Sequence, residues 1–311
     1  MKTEPQKSEA ITLTDVTLRD GLQAESKTVP LDSKLQLLNL LSQCQFNRLE
    51  ITSFVNPKWI PQLGDAEKLC ESWFKKESTQ ETMAFVPNTK GCERLLKFPI
   101  PWVSCFVAAS PTFNQKNVNC TIDESLKEIE SIISVAKNAK RKIRVYVSTV
   151  WGCPYEKEIT ASHLEPIFQK LSKSGADEIA LSDTIGVATP STVRAVLSQS
   201  SKFFPFSKIA LHLHNTYGFA LANVQTAYDV GVRSFDGSLG GVGGCPYARG
   251  ATGNIASDDL RNLFFRQGKL KNFPKPEIEK TFDYLRNELG LVLNSSLSKI
   301  QEKGGSWYGI E

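Results

Sequence analysis

Eight short β-rich runs alternate with amphipathic helical stretches along this 311-residue chain, and no linker-like segment divides it. The runs cover residues 11–18, 48–54, 81–86, 102–109, 143–149, 178–183, 209–214 and 234–239. Helix-start residues fall between them: Asp32-Ser33 before the first apolar helical pattern, Asp123 before the fourth, and Pro190-Ser191 at the sixth. Eight β–α units without a break predict an α/β fold, a closed (β/α)8 TIM barrel, in preference to an open doubly wound sheet. Residues beyond Pro276 carry two more helical patterns, which either cap the barrel or reach across a subunit interface. The reading is one catalytic domain, with the barrel over about 11–268 and a helical tail over about 276–303.

Composition narrows the function classes. Apolar residues at 41% and charged residues at 23% are ordinary for a globular chain, which excludes disordered and fibrous classes. The 37 basic and 33 acidic residues form no basic run, so nucleic acid is not an expected partner. No apolar run approaches the ~18 residues of a membrane span. The opening MKTEPQKSEA lacks an apolar or Arg-rich targeting pattern, so a cytoplasmic protein is expected. Seven cysteines with no CxxC argue against a disulfide framework or zinc knuckle and for a reducing compartment. No P-loop occurs, and no GxGxxG follows a strand.

A barrel carries its chemistry at the C-terminal ends of its strands. Two of the chain's three histidines, His212 and His214, lie there in IALHLHNTYG. Alternation puts Ile209, Leu211 and Leu213 on one face and Ala210, His212 and His214 on the other, with the imidazoles about 7 Å apart. Such a pair can converge on one metal ion or do acid–base work. The third, His163, reads as a surface residue at a polar helix start. Arg19 and Asp20 close the first run. They suit a salt bridge across the barrel mouth, or a site where Asp20 supplies a hard oxygen and Arg19 meets an anion or enolate. Glu50 and Asp183 are acids inside apolar runs, so each needs a cation or donor nearby. Glu50 either anchors Arg19 or joins the chemistry. After the eighth run, SLGGVGGCPYARGATGN packs six glycines between Gly240 and Gly253 around Cys245. A loop of that kind is a lid or a close approach of backbone to ligand, and its polar setting suits a reactive thiol.

These stretches resemble the hydroxymethylglutaryl-CoA lyase family of barrel metallo-lyases. The matching segments are RDGLQ (19–23), ITSFVNPKW (51–59), KNVNC (116–120), GCPYE (152–156), DTIGV (183–187), HLHNTYG with ALAN (212–223) and GCPYA with GATGN (244–254). The resemblance implies a divalent metal, Mg2+ or Mn2+, held by Asp20, His212, His214 and Asn254. It implies that Arg19, Glu50, Asp183, His212 and Cys245 shape the reaction, and that Arg19, Gln23 and Asn294 contact an acyl-CoA substrate. A homodimer is also implied. The implied reaction is retro-aldol (Claisen-type) cleavage of 3-hydroxy-3-methylglutaryl-CoA to acetyl-CoA and acetoacetate, with His212 or Asp183 as base. The chain departs from the family pattern at Asp15, Ser26, Pro111, Asn215 and Ser296, none of them an implied ligand. A relative with another 3-hydroxy acid, a condensing synthase and a silent barrel scaffold are the rival readings. With 35 residues after Pro276 the chain lacks a synthase's long extension, and the intact ligand set speaks against a scaffold.

Cys245 provides a test that separates a working thiol from a packing one. Cys245→Ser is expected to keep its melting temperature while losing about 10²–10⁴ in kcat. An alkylating agent should inactivate the wild type, with substrate protecting. Normal turnover by the serine variant would make the thiol incidental.

Overall fold

The structure, a computed structural model, describes residues 10–75, 78–244 and 253–310. Its strands are β1 (Thr12–Asp15), β2 (Arg48–Ser53), β3 (Glu81–Phe85), β4 (Trp102–Ala108), β5 (Lys142–Ser148), β6 (Glu178–Asp183), β7 (Ile209–Leu213) and β8 (Ser234–Gly237). Each pairs in parallel with its sequence neighbours, and β8 closes on β1, giving the expected eight-stranded barrel. Among the described residues, no helix is long and apolar enough to cross a membrane.

The first strand is shorter than the run 11–18. It stops at Asp15, and Thr17–Gly21 winds into one turn of π-helix in which the Gly21 N–H reaches back to the Val16 carbonyl at 3.1 Å. Asp15 makes the break, because its Oδ1 accepts the Thr17 N–H at 3.0 Å and turns the chain inward. Arg19 and Asp20 therefore sit on a tight turn above the barrel and do not close a strand.

Helix starts follow local chemistry. Thr121 Oγ1 accepts the Glu124 N–H at 3.2 Å while the Glu124 carboxylate accepts the Thr121 N–H at 2.8 Å, so helix Ile122–Asn138 opens on a capping box with Asp123 in its first turn. Pro190 occupies the first position of Pro190–Ser200, where its missing N–H costs no bond. His163 is half-buried and joins a capping interaction, with Nδ1 at 2.8 Å from Thr160 Oγ1.

Alternation along the strands splits the core in two. Val145, Val147, Ile179, Leu181, Ile209, Leu211 and Leu213 face outward and pack with the surrounding helices in one continuous cluster. The inward positions hold a smaller cluster of Met83, Trp102, Tyr146, Ala180 and Ala210. Between these sit buried charges. Arg48 reaches Glu178 at 2.9 Å, while Arg144 lies 3.3 Å from Glu178 and 2.7 Å from Asp236. The Arg48 guanidinium stacks 3.7 Å from the Trp102 ring centre.

Beyond β8, helices Ser257–Arg266, Lys275–Asp283 and Ser296–Glu302 complete the described chain, the last two forming the expected tail. Trp307 is buried against Phe273 and Phe282, and its indole N–H donates to the Leu297 carbonyl at 3.1 Å. The Gly240 carbonyl accepts the Asn294 N–H at 2.7 Å, which ties the tail to the end of β8.

Gly237 ends β8 against backbone, since a Cβ there would lie 2.8 Å from Ser257 N and 2.9 Å from the Ile255 carbonyl. Gly237→Ala is expected to cost about 1–3 kcal/mol, read by urea denaturation. It should also displace the 253–256 segment.

Candidate active site

The turn after β1 is pinned on three sides. Val16 N–H donates to the Gly237 carbonyl at 2.9 Å, Leu239 N–H donates to Thr17 Oγ1 at 2.7 Å, and Gly21 packs on Val242. Fixed in this way, the turn aims Arg19 and Asp20 across the mouth of the barrel. Arg19 Nε donates to Glu50 Oε2 at 2.6 Å, and Nη1 donates to Asp20 Oδ1. Its guanidinium carbon lies 5.4 Å from the Tyr146 ring centre and 5.6 Å from that of Phe85. Burial alone would weaken its charge, but Glu50 and Asp20 outweigh that and hold the guanidinium firmly protonated. Glu50 stands next to a bulge in β2, and its other oxygen accepts the Ser104 hydroxyl at 2.6 Å. It anchors Arg19, as one of the two sequence readings has it.

The second oxygen of Asp20 is a focal point. Asn254 Nδ2 donates to Oδ2 at 2.9 Å, and Nε2 of His212 and of His214 lie 3.8 and 3.9 Å from it. Ligand atoms of Asp20, His212 and His214 all fall within 4.8 Å of one another. Pairing delivers Asn254 here. His214, one residue past β7, forms an antiparallel bridge with Asn254, and Asn215 N–H and Ile255 N–H bond the Gly253 and Leu213 carbonyls. The far end of the glycine-rich stretch is thus laid along the exit of β7. Burial pushes the Asp20 carboxyl up, but Arg19 and the two histidines outweigh it and hold it well below the usual range. Burial, with His212 nearby, pushes His214 down to about 4, so its imidazole is neutral at physiological pH.

Asp183 ends β6 beneath the same mouth. Its carboxylate has no ion-pair partner among the described residues and accepts the Val187 and Ala188 N–H groups at 3.0 and 2.9 Å. Burial outweighs those donors and lifts the carboxyl to about 6.

Of the remaining sequence candidates, Gln23 is exposed two residues past Gly21 and has no contact with this cluster among those described. Asn294 is half-buried and docked on Gly240 through its backbone. Cys245 lies outside the described residues. Sequence reasoning passed over Tyr146, Arg144 and Asp236. Tyr146 sits edge-on to His212 with ring centres 5.6 Å apart, and its hydroxyl lies 3.4 Å from Glu50 Oε2. Asp236 faces His212 Nδ1 at 3.2 Å. Arg144 and Asp236 are charged residues at inward positions of apolar strands, the same signal that marked Glu50.

A closed parallel barrel with one carboxylate and two imidazoles converging at its C-terminal mouth defines a barrel enzyme with a candidate divalent-metal centre. Its family is shown by comparison: the HMGL-like family model matches residues 10–278, and the chain belongs to that family. It is 37% identical over 289 residues to the mitochondrial hydroxymethylglutaryl-CoA lyase of Gallus gallus, covering 93% of this chain and 97% of that one. Against the hydroxymethylglutaryl-CoA lyase YngG of Bacillus subtilis the identity is 38%, over 92% of this chain and 95% of the relative. The crystal structure of the B. subtilis HMG-CoA lyase superposes with a TM-score of 0.90 at 37% identity, covering 94% and 98% of the two chains. A lyase from A. baumannii, solved with coenzyme A and 3-methylmalate, gives a TM-score of 0.88 at 33% identity over 97% of each chain.

The Arg19–Glu50 pair is almost wholly buried, so removing its acid strands a cation. Glu50→Ala is expected to destabilise the fold by about 3–5 kcal/mol in chemical denaturation. Glu50→Gln, which can still accept from Arg19, should cost less. Equal, small losses would show that Arg19 is held by Asp20 alone.

Proposed function

We propose that this protein is a carbon–carbon lyase that cleaves 3-hydroxy-3-methylglutaryl-CoA to acetyl-CoA and acetoacetate. The observation that carries this reading is the convergence of Asp20, both imidazoles and Asn254 on one point, in a chain whose relatives bear that lyase name. The relative bound to coenzyme A supports an acyl-CoA substrate.

Asp20, His212, His214 and Asn254 would hold a divalent cation, Mg2+ or Mn2+ in this reading. The residues fit such an ion: Asn254 Oδ1 is buried with no hydrogen-bond partner among the described residues, and the set offers nitrogen and oxygen donors without a thiolate. When bound, the ion supplies Lewis-acid polarisation of the substrate's hydroxyl and a neighbouring oxygen. Asp183 takes the proton of the tertiary hydroxyl, since a carboxyl lifted to about 6 is poised near working pH. His212 is less suited as base, because one ring nitrogen faces Asp236 and the other faces Asp20. As the carbon–carbon bond breaks, its electron pair passes to the departing acetyl-CoA as an enolate. Arg19, pinned by Glu50 and Asp20, stabilises the enolate oxygen. Cys245 delivers a proton to the enolate carbon, a role that rests on sequence and resemblance.

Gln23 and Asn294 complete the substrate contacts in this proposal, both on the strength of the resemblance. A homodimer rests on the resemblance and is open to sedimentation analysis. A cytoplasmic setting rests on the sequence alone, and six free cysteines among the described residues agree with a reducing one.

The test is incubation of the purified protein with 3-hydroxy-3-methylglutaryl-CoA and Mg2+ or Mn2+, beside a panel of other 3-hydroxyacyl-CoAs. Acetoacetate and acetyl-CoA are expected in equal amounts, and their absence with cleavage of another panel member would reassign the acyl group. Arg19→Gln should lower kcat by about 10²–10³ with little change in KM. A loss confined to KM would make Arg19 a binding residue.

A further inference from the structure

The two histidines at the mouth differ on their far sides. His214 Nδ1 is buried with no hydrogen-bond partner among the described residues. His212 Nδ1, by contrast, lies 3.2 Å from Asp236 Oδ2, and the two residues are direct partners in the β7–β8 ladder. Asp236 cannot swing away from this contact. Its other oxygen, Oδ1, accepts Arg144 Nη2 at 2.7 Å, and Arg144 is fully buried with Glu178 3.3 Å from its Nε. Glu178 is fixed in turn by Arg48 at 2.9 Å and by the Ser234 hydroxyl at 2.8 Å.

We infer that Asp236, locked by Arg144, is a positioning residue that fixes the His212 tautomer, keeping its proton on Nδ1 and leaving the Nε2 lone pair facing Asp20. A guanidinium only donates, so Arg144 claims Oδ1 as an acceptor. The remaining oxygen of an aspartate then accepts, and the partner that faces it among the described residues is His212 Nδ1, which must carry the proton. Nε2 is left bare on the side where Asp20, His214 and Asn254 converge. Carboxylates that receive the second ring nitrogen of a ligating histidine orient it and raise its basicity. His214, with no such partner among the described residues, is positioned by its bridge to Asn254. The inference rests on the metal reading of this cluster for its functional consequence, but not for the tautomer itself.

Asp236→Asn inverts the arrangement with almost no change in shape. Arg144 keeps the amide oxygen, so the amide NH2 turns to His212 Nδ1, which must now accept. The proton moves to Nε2, and the nitrogen that would bind a cation is blocked. Two measurements on the full-length protein test this. The first is 15N NMR of labelled histidine in the metal-free protein, with each of the chain's three rings assigned by substitution to Gln. His212 is expected to carry its proton on Nδ1 in the wild type and on Nε2 in Asp236→Asn. The second is Mn2+ affinity by titration, expected to fall by about 10- to 100-fold in the variant.

A wild-type His212 protonated on Nε2 would overturn the inference, and this readout does not depend on the variant folding. A folded Asp236→Asn that keeps both the wild-type tautomer and the wild-type Mn2+ affinity would overturn it equally. Absence of Mn2+ binding by the wild type would count against the metal reading, while the tautomer would still decide the role of Asp236.

Discussion

A guanidinium with no access to water stands at the centre of this barrel. Arg144 is fully buried on β5, and its charge is tolerable only because Asp236 and Glu178 face it from β8 and β6. An unpaired cation there would be prohibitive, and even a well-paired buried one seldom adds net stability over apolar packing. What the arrangement supplies is fixed direction. Each carboxylate in the line is held on two sides: Glu178 by Arg144 and Arg48, Asp236 by Arg144 and His212. Barrels usually fill this space with Val, Ile and Leu in layers. Here part of the filling is ionic, and the ladder runs from Arg48, stacked on Trp102, up to the imidazole of His212.

Above that ladder the charges are no longer balanced. Arg19 lies between two carboxylates, Glu50 and Asp20, and the neighbouring His214 is held neutral by burial. The mouth therefore carries more negative than positive charge, while the ladder beneath pairs two arginines with two acids. A neutral imidazole and an ionised aspartate sharing one focal point form a poor ion pair and a good cation site. The asymmetry also explains why Arg19 can stay fully charged next to a cation site. Glu50, itself held by the Ser104 hydroxyl, grips it from the far side, so Asp20 need not turn both oxygens to it.

Much of this was legible in the sequence, for reasons that differ by element. The barrel followed from period-two runs alternating with helical ones, and β6 matched its run to the residue because Glu178–Asp183 is flanked by clear breaks. The His212–His214 pair was legible because a period of two places both on one face. The end of β1 was not. The alternation of TDVTLRD runs on past the point where the Asp15 carboxylate captures the Thr17 N–H and the following N–H groups turn back to the Val16 carbonyl, which makes a π-turn of what reads as strand. Arg144 and Asp236 carried the right signal, charge within an apolar run, but lie 92 positions apart. Only closure of the barrel brings them together. Asn254 entered through resemblance alone, since nothing in GATGN foretells a bridge to His214.

That bridge shows what the glycines around β8 accomplish. Gly237 lets the 253–256 segment approach within backbone contact, and Gly240, at φ 67°, turns the chain where Leu293 presses on it. The Gly240 carbonyl then receives the Asn294 and Ser295 N–H groups, while its N–H donates to Asp258 at the start of helix Ser257–Arg266. One short stretch past β8 thus holds the tail on one side and the return segment bearing Asn254 on the other. Asp259 strengthens the tail's hold by accepting the Ser296 and Leu297 N–H groups at the start of the last helix. The tail is consequently part of the mouth's framework: loosening it frees Gly240, and Gly240 lies on the same backbone that sets where Asn254 meets Asp20. A site that reads as a property of β1 and β7 is completed by residues that follow the last strand of the barrel.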